Sequence, residues 1–401
     1  MNSKKGSSSV FLMVILGALV SIALLLIYSV RDYSVASRAD GVINLAGDSL
    51  MSEFDYYVQK EYGLFILSGS DSQLTRKLRS YVGYSLDDME DVKVEDVNVS
   101  GSRFSVVNKE LIEEQIIEHM KLTEAEGLLK AAVGGDKKEE NMMEERSLRD
   151  GPTVVSLPSG MVPGKKLTTL AAEIAESVTD AEEAFREGTE KYLMNCYIMM
   201  YFNNRTRQND AEHFFRNEAE YILAGELSDR KNEKRVEIAL KAMRFPLNLA
   251  HIYSDSEKNA ATMAMAQMMT PGAGAAATQA ALAATWAYAE ADNDVELLMQ
   301  GNKVPLIKDK TTWAIDLNSA VEGIFGGTVR PAMEKGYDYE KYLQIMLFFQ
   351  DENIRTARIL DLIQINCRKN YNRNFIIQEY SSGVTIEARV NGKRFRYEKQ
   401  Y

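Results

Sequence analysis

Three histidines, two cysteines and 58 carboxylates are among the residues of this 401-residue chain able to carry chemistry. His119, His213 and His251 show no HExxH spacing and no pair three or four residues apart, so no helix face offers two imidazoles to a metal. Cys196 and Cys367 are compatible with one buried bridge or two buried thiols, and two thiols are the expectation. Pro271-Gly-Ala-Gly-Ala precedes an alanine-rich helix, but it lacks a preceding strand, a third glycine in place and any GKS/T. It reads as a loop-to-helix junction rather than a phosphate loop. No GxSxG elbow and no SxxK motif occurs. With so many carboxylates, pairs such as Glu218 and Glu220 are by themselves no sign of acid–base catalysis. No catalytic, cofactor-binding or metal-binding residue is expected.

One polar group is more informative. Glu218 to Ala224 reads as the end of a helix closed by Gly225, and Asn232 as the cap of the next. Arg244 and Asn248 lie four apart among Met243, Leu247, Leu249 and Ile252. An arginine on an apolar face requires an acid, and the expected structural ion pair joins Arg244 to Glu218 or Glu220.

The elements that must position these residues begin with an apolar run. Val10 to Val30 carries no charge, and at ~1.5 Å per residue it makes a helix of about 31 Å, matching about 30 Å of hydrocarbon. A signal peptide would have an apolar core of about 7–15 residues before a cleavage site; this run is longer and leads into Tyr28, Arg31, Asp32 and Tyr33. Lys4 and Lys5 on one side, against mixed Arg31, Asp32, Arg38 and Asp40 on the other, place the amino terminus in the cytoplasm and the bulk of the chain outside the cell membrane. A charge of -11 offers no basic footprint for nucleic acid.

Val35, Ala39, Val42, Ala46, Leu50, Phe54 and Val58 continue the helical spacing, so one helix is expected from Val10 to Gln59, ended at Gly63. A helix at 72–81, a strand at 93–99 whose alternation slips near Glu95-Asp96, its hairpin partner at 105–107 and a helix at 109–130 follow, the last with His119 exposed. From 132 to 166 the pattern collapses into glycine, proline and charge. Helices are expected at 167–201, 211–224, 232–253, 256–268, 274–299 and 339–367, then a hairpin at 384–397 turning on Asn391-Gly392 and sharing a sheet with the strand at 93–99. The regions are 1–9 cytoplasmic tail, 10–30 transmembrane helix, 31–131 membrane-proximal region, 132–166 linker and 167–401 distal helical domain. The fold class is α+β, predominantly helical, with a small antiparallel sheet.

Segments in a fixed order carry a family likeness: Gly6 to Leu12, Ser37 to Asp40, Asp48 to Leu50, Asp55, Glu61-Tyr62-Gly63-Leu64-Phe65, Leu111 to Lys121, Glu218 to Gly225, Arg244 to Asn248, Trp286 to Glu290 and Gly301 to Leu306. Together they resemble an uncharacterised Gram-positive bacterial family with a TadE/TadG-like, pseudopilin-like layout. The resemblance implies a component of a Tad (Flp, type IVc) pilus system, with possible leader cleavage between Gly6 and Ser7. Phe11 stands where pseudopilins of that system carry a glutamate, which points to a minor or assembly component rather than a major pilin. The expectation is a non-enzymatic, single-pass membrane protein without cofactor. Its partners would be membrane lipid, other pilus or membrane-assembly proteins and, through small residues Gly17, Ala18 and Ser21, further copies of the amino-terminal helix. The alternative is a membrane-tethered, ligand-binding domain outside the cell.

Overall fold

Helix α1, Lys5–Met51, dominates the first part of the computed structural model, which describes residues 5–86, 92–125, 156–177, 189–208, 212–323 and 336–401. None of the most apolar window of α1 is buried, and its mean hydropathy there is 3.1. Ala39, Ile43, Ala46 and Leu50, farther along, are buried at helical spacing. The helix expected to reach Gln59 stops earlier, because Asp55 starts a new one. Its Oδ1 accepts the backbone N–H groups of Tyr57 (3.1 Å) and Val58 (3.2 Å), capping α2, Tyr56–Tyr62.

The described residues fall into two compact units, one made of Met1–Gln59, Phe65–Asn108 and Gln378–Tyr401, the other of Lys60–Leu64 and Lys109–Ile377. The carboxy-terminal hairpin, read from sequence as closing the distal region, thus belongs to the first unit. There β2 (Val94–Ser100), β4 (Gly383–Val390) and β5 (Lys393–Gln400) form an antiparallel sheet in the order β2-β4-β5. Asn391 (φ 49°) and Gly392 (φ 78°) make the expected two-residue turn, both in the left-handed region such a turn needs. The expected slip also occurs, as a register shift between Val94 and Asp96.

The segment 105–107 is not the hairpin partner of β2. Asp71 Oδ1 accepts from Gly101 N at 2.9 Å, and the chain enters a 3-10 turn at Ser102–Phe104. It then runs beside the short strand β3, Tyr380–Ser381, with Ser105 bridged to Ser381 and Val106 N donating to Tyr380 O at 3.1 Å. Another two-residue strand, β1 at Leu67–Ser68, pairs with β3. Helix α3, Asp71–Leu86, buries Leu74, Leu78, Val82 and Leu86 in a core shared with the stripe of α1 and with Val97, Val99, Val384, Ile386 and Ala388.

The second half of α1 is also stitched to β5. Lys393 Nζ lies 2.6 Å from Asp32 Oδ2, Tyr397 OH meets Asp40, and Lys399 Nζ donates to Asn44 Oδ1 (2.8 Å) and reaches Asp48. Eight helical residues and four strand residues both advance about 12–13 Å, so Asp32 and Asp40 keep step with Lys393 and Tyr397.

The second unit is helical: α4 (Lys109–Ala125), α5 (Leu167–Glu176), α6 (Thr189–Tyr201), α7 (Glu218–Ala224), α8 (Asp229–Ser254), α9 (Ser256–Met269), α10 (Ala275–Met299), α11 (Leu317–Glu322), α12 (Tyr339–Phe349) and α13 (Glu352–Asn370). The expected helix at 167–201 is represented by α5 and α6, residues 178–188 lying outside those described, as do the end of the helix expected to reach Lys130 and most of the expected linker. The expected helix at 211–224 begins only at Glu218. The one expected at 339–367 divides at Asp351, whose Oδ1 caps α13 through Asn353 N (3.0 Å) and Ile354 N (3.2 Å).

Candidate functional site

A buried polar cluster of the second unit is built on two helices that each repeat polar residues at four-residue spacing. Arg244 and Asn248 stand on α8, and Glu290 and Asp294 on α10; all four are buried. Arg244 does not pair with Glu218 or Glu220. Its Nε lies 3.0 Å from Asp294 Oδ2, while Nη1 donates to Leu306 O (2.6 Å) and Nη2 to Asn248 Oδ1 (3.2 Å). Asn248 Nδ2 donates to the same Asp294 oxygen at 3.0 Å. Lys308 enters from the loop after α10 and meets both Asp294 (2.5 Å) and Glu290. Glu290 also accepts Ala314 N (2.9 Å) and Ile315 N (2.7 Å), fixing the loop that carries Trp313. Two cations thus face two carboxylates. Burial would push the Asp294 carboxyl up, but Arg244 and Lys308 outweigh it and hold the group below its usual range; burial raises Glu290 against the pull of Lys308.

Around this cluster the two indoles share one acceptor. Trp286 Nε1 and Trp313 Nε1 each donate to Ile315 O at 2.8 Å. His251 stacks on Trp313 at 5.2 Å, and burial followed by nearby Lys258 lowers its pKa. The arrangement neutralises charge and ties α8, α10 and the loop at 306–315 together.

Glu218 and Glu220 hold the segment before α7 instead. Glu218 accepts from Asn203 N (2.9 Å) and Asn366 Nδ2 (2.7 Å), and faces His213 Nδ1 at 2.5 Å. Glu220 Oε1 accepts from Arg205 N (3.0 Å) and Tyr339 OH (2.9 Å). Burial opposes charge on the His213 ring, but Glu218 and Glu61 outweigh it and raise its pKa. Burial pushes Glu220 up to about 7, against the hydrogen bonds it accepts.

The Glu61–Phe65 motif has a packing explanation. Tyr62 is buried, stacks on Phe202 at 5.8 Å, and its carbonyl accepts from Tyr197 OH at 2.9 Å. Gly63 has φ +68°, and a Cβ there would lie 2.3 Å from His119 Nε2. His119 is therefore half-buried rather than exposed, its Nε2 2.6 Å from Tyr201 OH. Leu64 is buried in the second unit, while Phe65 packs against Phe54 and Tyr401 in the first. The Gly6–Ser7 bond lies in the first turn of α1. No disulfide joins Cys196 and Cys367.

Concave regions also lie apart from these clusters. A cavity of about 320 Å³ in the second unit is lined by Leu167, Leu170, Phe349, Gln350 and Arg358; Gln350 Nε2 and Arg358 Nη1 already donate to Ile222 O. A groove of about 660 Å³ crosses the polar face of the sheet between Thr75, Asn98, Arg103 and Arg396, where Arg103 and Arg396 both meet Glu398. Among the described residues no three His, Cys, Asp or Glu side chains cluster in a way that could hold a metal ion.

No curated protein and no solved structure matches this chain. Residues 107–392 match a family of unknown function, DUF5702, which takes in nearly all of the second unit together with β3 and β4; the chain belongs to this family.

Proposed function

We propose that this protein is a single-pass, membrane-anchored, non-enzymatic component of a Tad/Flp-type pilus or related surface-assembly system, acting through protein–protein contacts from outside the cell. The observation that carries the reading is the two-part character of α1. Its first half is a bare apolar cylinder, with Phe11 66%, Leu16 60% and Leu25 66% exposed, although burying each such side chain would gain roughly 1.5–3 kcal/mol. Its second half is packed and stitched into the first unit. A helix of that kind fits lipid at one end and a folded head at the other, the layout that the pseudopilin-like resemblance implies. The charge-balanced cluster of Arg244, Lys308, Glu290 and Asp294 in the second unit suits a rigid head better than a reacting site.

The test uses full-length protein in bacterial membranes. Alkaline carbonate should leave it in the membrane pellet, and deletion of residues 10–30 should release it. Photoreactive side chains at Leu16, Leu19 and Leu25 should then yield adducts with an identified pilus or envelope-assembly protein. Adducts with lipid alone at all three positions would sink the assembly reading and leave the anchor standing. Amino-terminal sequencing decides processing: Ser7 as first residue means leader cleavage, an intact Met1 rules it out.

A further inference from the structure

We propose that the end of the first unit bearing the β4–β5 turn rests on the bilayer surface, where Arg31, Lys93, Lys393 and Arg394 contact lipid phosphates. This rests on the anchor reading above. If Val10 to Val30 spans the hydrocarbon, Asp32 lies two residues, about 3 Å along α1, beyond its edge. Lys393 Nζ is 2.6 Å from Asp32 Oδ2, and Lys393 directly follows the turn at Asn391-Gly392. Lys93 N donates to Asn391 Oδ1 at 2.8 Å, and Val94 pairs with Val390, so the start of β2 is held at the same level. The tie to α1 thus places the turn at headgroup depth, independently of any charge argument.

The side chains at that level suit phosphate. Arg31, Lys93, Arg389 and Arg394 are exposed there, beside Lys393. The acids placed with them are engaged: Asp32 with Lys393, Glu95 with Gly392 N (3.0 Å) and Arg389 (4.0 Å), and Asp96 with Arg79 (3.5 Å). Asp87, Asp88, Glu90 and Asp91 lie outside the described residues, so the contact is assigned to the cations placed at this level and not to net charge. Long basic side chains at a membrane interface reach phosphate while their stems stay against apolar surface.

Lysine acetylation by a membrane-impermeant reagent, read by mass spectrometry, tests this on full-length protein in phosphatidylcholine nanodiscs with and without phosphatidylglycerol. Lys77 is the internal reference, since it pairs with Glu53 beyond the far end of α1. Relative to Lys77, acetylation of Lys93 and Lys393 should fall in discs compared with a phosphate-free, uncharged detergent. Protection in both lipids supports contact with the phosphate they share, and protection confined to phosphatidylglycerol supports contact with the anionic headgroup. Arg31→Glu with Arg394→Glu should restore labelling of Lys93. Equal labelling in discs and detergent, with Val10 to Val30 still shielded from protease, would overturn the proposal but not the anchor. Digestion of Val10 to Val30 in discs would overturn both.

Discussion

Replacing Asp294 with alanine should destabilise the second unit by about 3–5 kcal/mol, the range expected when one partner of a buried ion pair is removed. The size follows from what remains. Lys308 keeps Glu290, but Arg244, fully buried, is left with only neutral partners at Leu306 O, Asn248 and Tyr342 OH. Arg244→Met should cost less, because Lys308 still faces Asp294. In the double variant the isolated cation disappears, so the two effects should fall short of additivity by at least about 1.5 kcal/mol, within the range for residues in one network. Urea titration of full-length protein in detergent, followed by tryptophan emission, reads this unit selectively, because the chain's two tryptophans, Trp286 and Trp313, both lie in it. A cost below about 1 kcal/mol for Asp294→Ala, or additivity within about 0.5 kcal/mol, would refute the account of a coupled, charge-balanced cluster.

Two further outcomes are expected from the same assay. Gly63→Ala should cost about 2–3 kcal/mol, combining the left-handed backbone and displacement of His119 from Tyr201; in a His119→Ala background only the backbone share of about 1 kcal/mol should remain, and an undiminished cost there would contradict the steric explanation. Stability should fall by about 3 kcal/mol as pH rises from 4.5 to 7, because Glu220, raised from 4.5 to about 7, binds its proton more tightly in the folded protein across that window. Glu220→Gln, which keeps the acceptor for Arg205 N and Tyr339 OH, should remove that share. His213, also raised, adds stability present below pH 6.5 and lost as pH climbs through its folded value. A profile unchanged by Glu220→Gln would refute the assignment.

What could be read from the sequence was what short-range chemistry dictates. Asn391-Gly392 announced its turn, Gly63 and Gly225 their left-handed stops (φ 68° and 71°), and the uncharged run its bare helix. Asp55 and Asp351 break helices by capping, and each sits in an apolar pattern that periodicity reads straight through. The partner of Arg244 was missed because sequence nearness favoured Glu218 and Glu220, whereas Asp294 lies 50 residues away. A signal existed: Glu290 and Asp294 share the four-residue spacing of Arg244 and Asn248, in a helix otherwise rich in alanine and leucine. The β2–β4 pairing spans nearly 300 residues, and only alternation on both strands hinted at it. The DUF5702 match takes in Arg244, Asp294 and β4 but begins after β2, and it assigns none of them a role.

The bridge between Ser105 and Ser381 brings the point where the main chain leaves the first unit beside the point where it returns. Most of the second unit is therefore a guest hosted between two neighbouring positions, and joining residue 107 to residue 378 by a short loop would keep the host's sheet topology. During synthesis the host waits for its own completion: β4 and β5 leave the ribosome only after the guest, and until then the stripe at Ala39, Ile43 and Leu50 has no sheet to cover it. A nascent chain stalled before Gly383 would show chaperones and proteases a stripe with only α3 against it.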